Sequence, residues 1–193
     1  MNRFIKTQIS DSIKVKKALL QKPAFIKRLE MAAMCIVKAY REGHKLLLAG
    51  NGGSAADAQH IAGELVNRFR FDRPALPAVA LSTDTSVLTS IGNDSDFGQV
   101  FARQIQALGA AGDVFIGIST SGNSNNIIQA LRVCGRKGIV GIGLTGQSGG
   151  KMKAFCDYCL QVPSKEIPRI QEAHILIAHI LCGIIEDEMF GKG

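Results

Sequence analysis

The sequence predicts an α/β protein: a doubly wound sheet of about five parallel strands with helices on both faces, preceded by N-terminal helices. Three observations predict it. From Lys45 onward, short apolar runs alternate with stretches of helical period, the pattern of repeated strand–helix units. The loops that follow the apolar runs are rich in Gly, Ser and Thr, and in such sheets ligands gather at the carboxyl ends of the strands. The composition is 46% hydrophobic with 21 glycines and no tryptophan, which fits a soluble α/β chain and not a disordered or membrane one.

Residues 1–44 read as helices. Phe4, Ile5, Ile9, Ile13 and Val15 form a ragged apolar stripe. After Pro23, at a plausible first helical position, Phe25, Ile26, Leu29, Ala33, Ile36, Val37 and Tyr40 recur at helical period, and Gly43 closes the helix. Both precede the first strand, so they are expected outside the sheet or against another subunit. Residues 45–190 read as an αβα sandwich, giving one domain over 1–193. Its strands are expected at Leu46–Ala49, Ala78–Leu81, Asp113–Ile118, Ile139–Leu144 and Tyr158–Val162. Helices follow from Ser54, at Gln99–Leu108, up to Lys137, and from Pro168 to about Met189, while Ile91–Asp94 reads as part of a connection.

The stretch KLLLAGNGGSAADAQHIAGE, Lys45 to Glu64, is a strand, a glycine turn and a helix that Ser54 would cap. Free N–H groups at such a helix start favour anions and sugar hydroxyls. Asn51-Gly52-Gly53-Ser54 competes for a phosphate with Ser119-Thr120-Ser121-Gly122-Asn123-Ser124, which offers four hydroxyls and a second helix start. The richer second loop is assigned the phosphate and the first the sugar hydroxyls. Neither matches G-x-x-x-x-G-K-[ST] or a dinucleotide G-x-G-x-x-G.

His60 and Glu64, four apart, share one helix face, and Arg68 would extend it and hold Glu64 ionised. Alone, such a pair is more often a local hydrogen bond than a site. The last helix carries Gln171, His174 and His179 among residues apolar nearly all round, so it is expected to be buried. His174 reads as a satisfied core histidine.

Other classes are disfavoured. No apolar run approaches the ~20 residues that span a bilayer, and the N-terminus lacks a signal-peptide pattern, so a cytoplasmic location is expected. Five scattered cysteines argue against a disulfide framework, and Cys156/Cys159 lack a second pair for structural zinc. The net charge of +7 concentrates in the N-terminal helices without interleaved aromatics, which fits a solvated face better than a nucleic-acid surface.

AGNGGSAADAQHIAGEL, IGND, GISTSGNS, LTG..GG and RIQEAHILIAHIL together resemble bacterial phosphoheptose isomerase, over nearly the whole chain. The resemblance implies an SIS-type (sugar isomerase) fold and a homotetramer with active sites at subunit interfaces. The implied reaction interconverts sedoheptulose 7-phosphate and D-glycero-D-manno-heptose 7-phosphate, the entry to ADP- or GDP-heptose for lipopolysaccharide core or capsule. By match it also implies zinc held by His60, Glu64, Gln171 and His179. Substrate contacts are implied at Asn51, Gly52, Gly53, Glu64, Asn93, Asp94, Ser119, Thr120, Ser121, Ser124 and Gln171, with Ser54 added from the capping argument. Moving a proton between adjacent carbons through an enediolate needs a base, an acid and an oxyanion stabiliser. Glu64 suits the base, His179 the acid and zinc the Lewis acid.

Gln171 and His179 stand about 12 Å apart along a helix. Either one ion lies between them or they serve different subunits. The rival readings are a non-catalytic relative resembling the replication-initiator-associating protein, whose branch lacks the acid and the histidine, and another SIS-type sugar-phosphate isomerase.

Overall fold

The computed structural model describes residues 1–191. Its strands are β1 (Leu46–Gly50), β2 (Ala78–Ala80), β3 (Val114–Ser119), β4 (Val140–Thr145) and β5 (Tyr158–Gln161). All five pair in parallel in the order β2-β1-β3-β4-β5. The helices are α1 (Asn2–Leu20), α2 (Pro23–Arg41), α3 (Gly53–Val66), α4 (Thr85–Asp94), α5 (Val100–Leu108), α6 (Asn125–Lys137) and α7 (Ile167–Phe190). Each expected strand is present. Among the described residues no helix is long and apolar enough to cross a membrane.

Strand alternation splits the apolar residues into two cores. Leu46, Leu48, Ile116, Ile142 and Leu144 face one way, onto α2, α3 and α7. Leu47, Ala49 and Phe115 face the other way, onto α5 and α6. Burying each such side chain contributes about 1.5–3 kcal/mol. Of the two N-terminal helices expected outside the sheet, α2 packs on one of its faces. Its residues Leu29, Ala33, Ile36 and Val37 are buried in the first core, because a helix with that apolar stripe is needed to cover the sheet. Only Leu19 of α1 is fully buried.

Ile91–Asp94 is also not a connection. It ends α4, which Asp84 caps by accepting from the Val87 amide at 2.9 Å.

The strand order reverses direction between β1 and β3. The chain leaving β1 enters α3 on one face of the sheet, and the chain leaving β3 enters α6 on the other. Their loops therefore diverge from a shared crevice, the place where open α/β sheets bind ligands.

Candidate active site at the carboxyl edge of the sheet

The loop after β1 is a tight glycine turn. A Cβ on Gly50 would lie 2.3 Å from the Ser54 carbonyl oxygen, and Gly52 takes φ +54°, a left-handed conformation that favours glycine. Gly52 is the residue that precedes α3, so Ser54 does not cap the helix. Its amide donates to the Asn51 carbonyl at 3.0 Å and its side chain is buried, because the turn starts the helix two residues earlier than the capping pattern implies. The Asn51 carboxamide reaches across the crevice. Its Nδ2 donates to Asn126 Oδ1 at 3.0 Å, and Asn126 Nδ2 donates back to Asn51 Oδ1 at 2.8 Å.

Two turns into α3, His60 meets residues of α7. His60 Nε2 lies 2.9 Å from His179 Nε2 and 3.3 Å from Glu64 Oε1. Ligand atoms of His60, Glu64 and His179 all fall within 4.8 Å of one another. Two imidazoles and a carboxylate are an ordinary zinc set, so these residues fit the metal implied by the sequence. Phe69 stacks on the His179 ring, with centroids 5.4 Å apart.

A buried ion pair braces this cluster. Glu186 accepts from the amides of Phe69 at 2.9 Å and Arg70 at 2.8 Å, and from Arg73 Nε at 3.2 Å. Burial pushes the Glu186 carboxyl up, but these donors outweigh it and hold the group below its ordinary range. Arg73 in turn donates to the carbonyls of Glu64 at 2.8 Å and Leu65 at 2.7 Å, the end of α3 that carries the acid. Arg68 does not do what its spacing implied. The helix stops at Val66, so Arg68 leaves the Glu64 face and is exposed.

After β3, Ser119 Oγ lies 2.9 Å from Ser124 Oγ and 3.5 Å from Ser121 Oγ. Ser124 is the residue that precedes α6, yet its hydroxyl turns to Ser119 and makes no cap, and the first-turn amide of Ile127 is met by Asn126 Oδ1 instead. Three converging hydroxyls beside a helix start suit an anion. A cleft of about 520 Å³ opens beside them, lined by Thr120, Ser121, Ser148, Ser164 and Lys165.

The remaining residues divide. Gln171 lies over the first loop, its Nε2 2.7 Å from where a Cβ on Gly53 would stand, so Gln171 meets the start of α3 and His179 its middle. His174 is buried as expected but not satisfied, since neither ring nitrogen has a hydrogen-bond partner among the described residues. Burial pushes its pKa down to about 4, with the Thr145 carbonyl opposing weakly. Asn93 and Asp94 are exposed at the end of α4, bonded to each other at 2.7 Å and not to the cluster. Sequence reasoning missed Asn126, Phe69, Arg73 and Glu186. Only Glu186 left a signal, a charge on the buried face of an apolar helix.

The profile of the SIS domain matches residues 14–146. The chain is 59% identical over 190 residues to the phosphoheptose isomerase of Aneurinibacillus thermoaerophilus, covering 98% of this chain and 96% of the relative. It is 60% identical over 193 residues to phosphoheptose isomerase 2 of Campylobacter jejuni subsp. jejuni serotype O:2, covering 100% of this chain and 96% of that one. Its structure superposes on phosphoheptose isomerase GmhA from Neisseria gonorrhoeae with a TM-score of 0.90 at 42% identity, covering 96% of this chain and 98% of that one.

Proposed function

The chain belongs to the phosphoheptose isomerase family, and we propose that the His60–Glu64–His179 cluster and the two strand-end loops form its active site. It is an aldose–ketose isomerase that converts sedoheptulose 7-phosphate to D-glycero-D-manno-heptose 7-phosphate. The observation that carries the site is the meeting of a carboxylate and two imidazoles beside an anion-binding loop. The non-catalytic alternative finds no support, because both the acid and the histidine are present and converge.

In this reading Ser119, Thr120, Ser121 and Ser124 hold the phosphate with the start of α6. The turn Asn51–Gly53, with Ser54 behind it and Gln171 over it, holds sugar hydroxyls. Glu64 takes a proton from the carbon beside the carbonyl, exchanges it with solvent and delivers one to the neighbouring carbon. Its Oε1 faces His60, which leaves the second oxygen for the proton. His179, fixed by the Phe69 ring, would serve the carbonyl side as acid through the ring nitrogen that zinc does not take. Zinc, held by His60, Glu64 and His179, would supply Lewis acidity toward the substrate oxygens. The placement of Gln171 over Gly53 favours a substrate contact for that carboxamide over a fourth bond to the ion.

Assembly as a homotetramer completes the proposal. Phe4, Ile5, Ile9 and Ile13 of α1 are exposed, an apolar row that a second copy would cover. Asn93 and Asp94, remote from the cluster in one chain, would then reach a neighbour's site. The product would feed heptose synthesis for lipopolysaccharide core or capsule in the cytoplasm. Incubation with sedoheptulose 7-phosphate tests the reading: aldose should form with zinc present and stop with a chelator. No turnover under either condition would overturn it.

A further inference from the structure

The reciprocal pairing of Asn51 and Asn126 takes no part in the proton transfer or the phosphate binding proposed for the site. Resting on that reading, we propose that Asn126 is a positioning residue whose carboxamide, locked to Asn51, sets the spacing between the sugar-facing turn and the phosphate-facing loop, and so the length of sugar phosphate the site accepts.

The topology makes such a tie necessary. β1 and β3 are neighbours in register up to Gly50 and Ile118, and beyond that point their loops part toward opposite faces of the sheet. Among the described residues, the two carboxamide bonds are the only hydrogen bonds between residues 51–54 and residues 119–126. Each group donates once and accepts once, so the pair fixes both separation and orientation.

Asn126 is built to serve this way. It is only 4% exposed and stands in the first turn of α6. Its Oδ1 accepts from the Ile127 amide at 3.0 Å as well as from Asn51, which determines which end of the carboxamide faces which partner. A free surface asparagine has no such constraint. The reacting carbons and the phosphate of a ketose phosphate are held on opposite sides of the tie. A ketose phosphate one or two carbons shorter carries the same two ends but cannot span the same gap.

The substitution Asn126→Asp keeps the volume and the acceptor oxygen, but turns the donor facing Asn51 Oδ1 into a second oxygen. The tie then loses one bond and gains a repulsion. The test compares the zinc-loaded wild-type enzyme with Asn126→Asp and Asn126→Ala. It measures KM for sedoheptulose 7-phosphate and the inhibition constant of fructose 6-phosphate against that turnover.

The ratio of the two constants does not depend on how much of a preparation is active, so a merely structural defect leaves it unmoved. We expect each variant to lose about tenfold of the wild-type ratio, the factor that one neutral hydrogen bond of about 1.4 kcal/mol represents. Should Asn126→Asp fail to fold, Asn126→Ala removes both bonds of the pair without touching the sugar-facing turn and decides alone. An unchanged ratio in a folded variant would overturn the inference while leaving the isomerase reading intact. No wild-type turnover at all would overturn both.

Discussion

Glu64 is asked to take a proton, and its neighbours show why it can be held in place to do so. Arg73 grips its backbone carbonyl, and His60 meets one carboxylate oxygen at 3.3 Å. Replacing it by Gln keeps the shape and removes the base, so kcat should fall by about 10²–10⁴ while the melting temperature stays within a few degrees. His60→Ala removes one donor from the cluster and should lower the zinc content of purified protein well below one ion per chain, read by metal analysis. His174 yields a prediction about acid. In the folded chain its pKa is pushed down to about 4 from 6.5, so between those values the unfolded chain binds more protons than the native one. Stability therefore falls as pH drops from about 6.5 toward 4, by up to about 3 kcal/mol from this group. His174→Leu removes the titrating ring and should flatten that acid slope, seen by comparing urea midpoints at pH 7 and pH 5. Equal slopes in both proteins would show that the ring does not set it.

At the scale of elements, the β1–α3 turn is the most constrained piece of backbone in the site. Gly50→Ala would push a methyl into the Ser54 carbonyl, a backbone contact that cannot swing away. The expected cost is about 1–3 kcal/mol in urea unfolding, with a drop in kcat/KM because the turn that holds the sugar shifts. The strands were all legible from the sequence, since apolar runs of four to six residues between glycine loops have few other readings. Helix α4 was not. Its apolar positions Val87, Leu88 and Ile91 are sparse, and its cap, Asp84, sits inside a Ser/Thr run that reads as loop. Ser54 failed as a cap for a related reason: glycine can start a helix through backbone geometry alone, which leaves no side-chain signature. The triad was half legible. His60 and Glu64 share a face by spacing, but only packing of α3 on α7 brings His179 to them. Asn126 and Arg73 act through contacts 75 and 9 residues away in sequence, which no local pattern encodes.

The whole molecule presents its site at a sheet edge and an uncovered apolar row on α1, with Phe4 68% and Ile9 57% exposed. If copies pack through that row, Ile9→Glu with Ile13→Glu should shift light scattering to a smaller species and remove most of the turnover. A wild-type mass would argue that α1 is not the interface. The family is established by full-length likeness, whereas the chemistry rests on one carboxylate. The most direct test of that chemistry is to run the reaction in heavy water and follow deuterium at the carbon beside the carbonyl. The account predicts deuterium uptake with the wild-type enzyme and none above background with Glu64→Gln. Uptake by Glu64→Gln at the wild-type rate would contradict it.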